Sequence, residues 1–280
     1  MLRDRLAISI LLLPFGMWVI ALGGWVYLLT LGAIFGVAAW EYGRLFQMRG
    51  QRPARPLIVG GVLLLISAER FPVLNPHGLL FALAILVPLT WHLIDFERGA
   101  KASGTDLAVT VGGIFYLGWL GSYFISLRDL PDGLWWVLTI LSSVWLADSG
   151  AYGFGRAFGR HKLAPRLSPR KTWEGYLGSV LGGAAGSGLL AIFWHLGAGA
   201  DSLLTWQTGM LVGALVGLLA PLGDLGVSML KRETGVKDTG TVLAGHGGIL
   251  DRIDSWLVAV VVGYYFIWLL PNLMPHLPLR

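Results

Sequence analysis

Long apolar runs, each closed by a short polar break, recur along nearly the whole 280-residue chain. Their spacing predicts nine helical spans, at about 6–22, 24–40, 57–69, 77–94, 107–127, 133–150, 174–197, 204–224 and 251–270. A helix needs about 20 mainly apolar residues to cross ~30 Å of hydrocarbon. Only 57–69 is clearly short of that, so it reads as tilted, broken or re-entrant. The first two spans are separated by no more than Gly23–Gly24. The expected fold is all-α: a polytopic integral membrane protein with about nine transmembrane helices. Residues 1–130 form an N-terminal set of helices. Residues 131–280 form a C-terminal set that carries the chemistry.

Composition agrees with a membrane and adds detail. Mean hydropathy is +0.67, with 55% apolar and 13% charged residues. Forty glycines are many, but small residues let membrane helices approach closely. Gly182-Gly183-Ala184-Ala185-Gly186 reads as such a packing face. The first span has a basic start, Arg3 and Arg5, and no small-x-small cleavage site before the second span, so it is expected to stay as an anchor. The chain has no cysteine. That excludes disulfides and thiolate metal sites, and leaves oxygen or imidazole to hold any metal.

Orientation follows from the basic residues. With the N-terminus in the cytoplasm and nine alternating spans, 18 of the 21 Lys and Arg fall on the cytoplasmic side. Only Arg70, Arg128 and Arg280 fall on the other. The net charge of +5 and pI near 9.6 are partly this asymmetry. They also suit anionic headgroups and nucleotides.

Charge is concentrated where the apolar pattern breaks late in the chain. Ser228 to Asp254 holds Lys231, Arg232, Lys237, Asp238, His246, Asp251, Arg252 and Asp254 within 27 residues. Ionisable groups beside lipid are costly, so such density needs a reason. Carboxylates suit Mg²⁺, whereas Lys and Arg suit phosphate oxygens. Asp224 closes the apolar run before this segment. With Ser228 and Lys231, four and seven residues on, it shares one helical face. Gly245-His246-Gly247-Gly248 lets backbone N–H groups approach an anion. Asp251 and Asp254 share a face at the start of the last helix. A purely structural account remains open here, with charges marking helix ends and the acids favoured by the helix dipole.

A second cluster runs from Asp148 to Glu174. Asp148 closes an apolar span, and Arg156, Arg160, His161 and Lys162 follow. Ser168-Pro169 reads as a helix start, with Ser as N-cap and Pro at the first helical position. That places Lys171 in the first turn, where a cation is unfavourable unless an anion also binds.

These residues carry a resemblance. Ser228-x-Leu230-Lys231-Arg232-x4-Lys237-Asp238-x-Gly240-x2-Leu243-x2-His246-Gly247-Gly248-Ile249-x-Asp251-Arg252-Ile253-Asp254 resembles the signature of phosphatidate cytidylyltransferases, also called CDP-diacylglycerol synthases. Ala244 stands where that family usually has Pro. Asp148-Ser-Gly-Ala-Tyr152 and Ser168-Pro169-x-Lys171-Thr172-x-Glu174-Gly175 also resemble it, so the likeness spans about 135–270. It implies transfer of CMP from CTP to phosphatidate, assisted by Mg²⁺ or Mn²⁺, with a monovalent cation as a further candidate. The implied partners are CTP, phosphatidate with membrane lipid, and a second copy of the chain, but no nucleic acid. The implied location is the inner (cytoplasmic) membrane.

On this reading Asp224, Asp251 and Asp254 are the metal ligands. Lys231, Asp251, Asp254 and Ser228 are the catalytic set. Arg232, Lys237, Arg252, His246, Lys171 and Asp148 bind substrate. Two other classes compete. A transporter for an anionic solute fits the many spans, but the charges gather at one face and no half is duplicated. An enzyme using a CDP-alcohol would need a D-G-x2-A-R-type motif, which is missing.

Overall fold

The computed structural model describes residues 13–71, 78–240 and 247–273, with side chains to 270. The start of the first expected span, together with Ala244 and His246, lies outside those residues. What is described is helical throughout, apart from one two-stranded hairpin.

Eleven α-helices follow one another. They are α1 (Leu13–Leu22), α2 (Gly24–Gln47), α3 (Arg55–Ala68), α4 (Leu79–Glu97), α5 (Ser103–Gly113), α6 (Leu120–Arg128), α7 (Gly133–Phe158), α8 (Trp173–Ala198), α9 (Trp206–Leu219), α10 (Pro221–Thr234) and α11 (Leu250–Leu273). A π-helical turn, Ile114–Trp119, joins α5 to α6 into one rod. Strands β1 (Lys162–Ala164) and β2 (Ser168–Thr172) pair antiparallel between α7 and α8.

Seven rods are long and apolar enough to cross a membrane: α2, α4, α5–α6, α7, α8, α9–α10 and α11. Helix α3 is apolar but shorter, and α1 is described only from Leu13 onward. The 14 residues of α3 rise only about 21 Å, less than the hydrocarbon thickness. Among the described residues seven helices are thus long and apolar enough to span, and the expected count of nine is not confirmed. Gly23 and Gly24 both adopt positive φ, 61° and 52°, a backbone that only glycine takes readily. That divides α1 from α2. Several helices outrun their apolar stretch, α2 to Gln47 and α7 to Phe158. Hydropathy marks the lipid-facing length, whereas backbone hydrogen bonding carries the helix on into polar surroundings.

The expected helix start at Ser168-Pro169 is replaced by strand β2, which carries Lys171. Thr172 is the actual N-cap, and its hydroxyl accepts from Gly175 N at 3.1 Å. Glu174 in the first turn suits the helix dipole. Its carboxylate accepts from Arg160 N (3.1 Å) and His161 N (3.3 Å), and lies 2.6 Å from His161 Nδ1. These bonds tie the base of the hairpin to α8, which a helix at 168 could not allow. Asp224 likewise opens a helix where the apolar pattern has it closing one. The helical path breaks at Ala220, and Pro221 begins α10. Proline suits the first helical turn because its missing N–H is not needed there.

The chain forms two compact units. One comprises Met1–Ile125 with Leu230–Ile253, the other Ser126–Met229 with Asp254–Arg280. In the second, α8 packs on α7 and α9. Gly150 faces Gly178 and Gly182, and Gly183 faces Gly213. Ser179 Oγ donates to Gly217 O at 2.9 Å, and the hydroxyls of Ser143 and Ser187 meet at 2.6 Å. This is the small-residue packing expected of the 182–186 stripe. Large apolar side chains such as Leu29, Leu86, Leu189 and Phe193 point outward, as lipid-facing surfaces require.

Candidate active site

In the first unit, Lys231 from α10 meets Asp251, the second residue of α11. Lys231 Nζ donates to Asp251 Oδ1 at 2.6 Å, with side-chain exposures of only 16% and 9%. A pair so shielded gains strength from the low local dielectric, but breaking it is costly. Asp251 Oδ2 accepts three more bonds: Thr239 N (2.9 Å), Thr239 Oγ1 (2.9 Å) and Gly248 N (3.1 Å). One carboxylate thus gathers α10, the loop after it and the turn into α11. Gly247 has φ 80°, and a Cβ there would stand 3.1 Å from Asp251 Oδ2. The glycines do bring a backbone N–H to an anion, as their pattern predicts. In this structure the anion is Asp251 itself. Arg232, Lys237 and Arg252 are exposed to solvent. His246 lies outside the described residues.

The second unit holds the other cluster. Lys171 pairs with Asp224 in the first turn of α10. Asp148 of α7 lies within electrostatic reach of both. Ser228, one turn on from Asp224, is half-buried. Asp254 is buried, and its Oδ1 accepts from Ser255 N at 2.6 Å. Two of the lysines that the sequence singles out are therefore held against singled-out carboxylates: Lys171 on Asp224, Lys231 on Asp251.

One residue escaped the sequence reading. Glu41, in α2, is buried. Its Oε2 accepts from Leu250 N at 2.9 Å and lies 3.3 Å from Thr239 Oγ1. Oε1 is buried without a hydrogen-bond partner. The signal was present, because Glu41 is the lone acid in the run Ala38-Ala39-Trp40-Glu41-Tyr42. An ionisable residue inside a span is costly enough to demand a role.

A metal would have to be held by oxygen here. Among the described residues no three His, Asp or Glu side chains converge. Carboxylates nevertheless come close in each unit: Asp148 near Asp224, and Asp251 beside Glu41 with its unpartnered Oε1. Hard divalent cations take such oxygen donors and keep several waters. The donor chemistry thus suits Mg²⁺ or Mn²⁺.

Residues 3–270 match the cytidylyltransferase family. The chain is 35% identical to the phosphatidate cytidylyltransferase of Pseudomonas aeruginosa, over 96% of this chain and 97% of that protein. It is 33% identical to the enzyme of the same name from Synechocystis, over 91% and 93%. Against that of Brucella suis it is 33% identical, over 95% and 93%.

Proposed function

The chain belongs to the cytidylyltransferase family, and we propose that it transfers CMP from CTP to phosphatidate, forming CDP-diacylglycerol and pyrophosphate. A phosphate oxygen of phosphatidate attacks the α-phosphorus of CTP. The bond from that phosphorus to the β-phosphate oxygen breaks, and pyrophosphate leaves with the electron pair. The nucleophile is already anionic near neutral pH, so no strong general base is needed. The difficulty lies in bringing two polyanions together and stabilising the charge on the departing pyrophosphate.

The observation that carries this reading is the shielded Lys231–Asp251 pair inside the family signature. An ammonium has three N–H donors. Asp251 uses one of those of Lys231, which leaves others for phosphate oxygens. Arg232, Lys237 and Arg252 add exposed cations for the polyphosphate. Lys171, Asp148 and His246 are assigned to the substrates, and Ser228 to the catalytic set with Lys231, Asp251 and Asp254. Asp251 in the first unit, and Asp224 and Asp254 in the second, are the candidate ligands for a divalent ion, Mg²⁺ or Mn²⁺. Bound there, the ion would neutralise charge developing on the phosphates. A monovalent cation and a homodimer belong to the same reading.

The enzyme sits in the inner (cytoplasmic) membrane with its N-terminus and both basic clusters facing the cytoplasm. If all nine expected spans cross, 18 of the 21 Lys and Arg fall on that face, the side on which CTP is made. The test is a chelator titration of the purified protein in detergent with CTP and phosphatidate. Product formation should stop in excess EDTA and return with Mg²⁺. Undiminished turnover in EDTA would remove the metal from the mechanism.

A further inference from the structure

Glu41 lies 198 residues from Thr239 and 209 from Leu250, yet its carboxylate touches both edges of the signature loop. We propose that Glu41 is a positioning residue. It holds Thr239 and the first residue of α11, Leu250, and so fixes Asp251 and the lysine Asp251 holds. This rests on the reading that the Lys231–Asp251 pair serves cytidylyl transfer.

Three observations in the first unit carry it. Glu41 Oε2 accepts the Leu250 N–H at 2.9 Å, one residue before Asp251. A helix start leaves such N–H groups without partners inside the helix, and here a carboxylate from α2 supplies one. The hydroxyl of Thr239 donates to Asp251 at 2.9 Å and lies 3.3 Å from Glu41. One hydroxyl therefore stands between the two carboxylates. Finally, Gly240 and Gly248 pack directly on Glu41. The three atoms that a Cβ on Gly240 would strike all belong to the Glu41 carboxyl end, and a Cβ on Gly248 would come 2.5 Å from Oε2. Neither glycine has positive φ, so backbone freedom does not explain them. At Gly240 the Glu41 carboxyl end occupies the space a side chain would fill, and at Gly248 the Thr239 hydroxyl, Glu41 Oε2 and Gly240 N share it.

This packing yields a sharp test. Gly240→Ala should force Glu41 off Leu250 and lower turnover. Glu41→Ala should lower it too, by roughly tenfold or more, since a misplacement near 1 Å can cost ~10²-fold. If both act through the clamp, the double variant should be no worse than Glu41→Ala alone, because the methyl then has room. Losses that multiply would overturn the proposal. Glu41→Gln, nearly the same size, guards against simple misfolding. It should keep native thermal stability while lowering kcat more than the KM for CTP.

Hydrogen exchange supplies a readout independent of activity. In Glu41→Ala, the amide of Leu250 should exchange roughly tenfold faster or more, as expected for a lost bond to a charged acceptor. Unchanged protection there would overturn the clamp even if turnover fell. A native protein without cytidylyl transfer would sink the reading it rests on, while leaving the exchange result intact.

Discussion

Replacing Asp251 by Asn keeps the side-chain size and removes the charge. The structure allows a lower bound on the cost. The carboxylate accepts from Lys231 on one oxygen and from Thr239 N, Thr239 Oγ1 and Gly248 N on the other. An amide has one oxygen. Pointed at the loop, that oxygen retains three acceptor bonds, but the NH₂ then faces the Lys231 ammonium, donor against donor. Pointed at Lys231, it leaves two backbone N–H groups and a hydroxyl facing donors. The cheaper arrangement still forfeits one charge-assisted bond, about 1.5–3 kcal/mol. If all of that appears in the transition state, turnover falls about 10- to 150-fold. Loss of a metal ligand would add to it. The assay is conversion of radiolabelled CTP to lipid-soluble product in detergent, with circular dichroism confirming helix content. Turnover within about threefold of native would show that Asp251 is only a helix-end charge, and the reasoning would fail.

Two further outcomes follow. Gly213→Val should destabilise the second unit, because any Cβ at 213 meets the backbone of Gly183 and the side chain of Ser187. An overpacking cost of about 1–3 kcal/mol should lower the apparent unfolding temperature by about 3–10 °C. In this cysteine-free chain, a cysteine at exposed Asp201 should label from outside intact cells and one at exposed Gly50 should not. The reverse pattern would invert the topology.

The apolar pattern showed where the rods lie, because lipid imposes a length and a hydropathy that any sequence must satisfy. It could not show where the rods end. Backbone hydrogen bonding carries α7 to Phe158 and α10 to Thr234 without help from hydropathy. Lys171 was misplaced for a related reason. Ser168-Pro169 is a sound local start signal, but Glu174 reaches back to bond Arg160 and His161 and closes a hairpin. That contact, spanning 13 to 14 residues, has no local signature. Within the site, the motif marked Lys231 and Asp251 separately, and their pairing comes from the structure. Glu41 stood out as a lone acid in an apolar run, but its partners lie some two hundred residues away, beyond any spacing argument. Gly240 and Gly248 recorded its presence only as missing side chains.

The central claim is that this chain makes CDP-diacylglycerol. The most direct measurement gives purified protein CTP, phosphatidate and Mg²⁺, and follows the lipid and the inorganic product by mass. The account predicts CDP-diacylglycerol and pyrophosphate appearing one for one, only when both substrates are present, and abolished by EDTA. Absence of that lipid, with nucleotide or anion flux across vesicles made from the same protein, would contradict it.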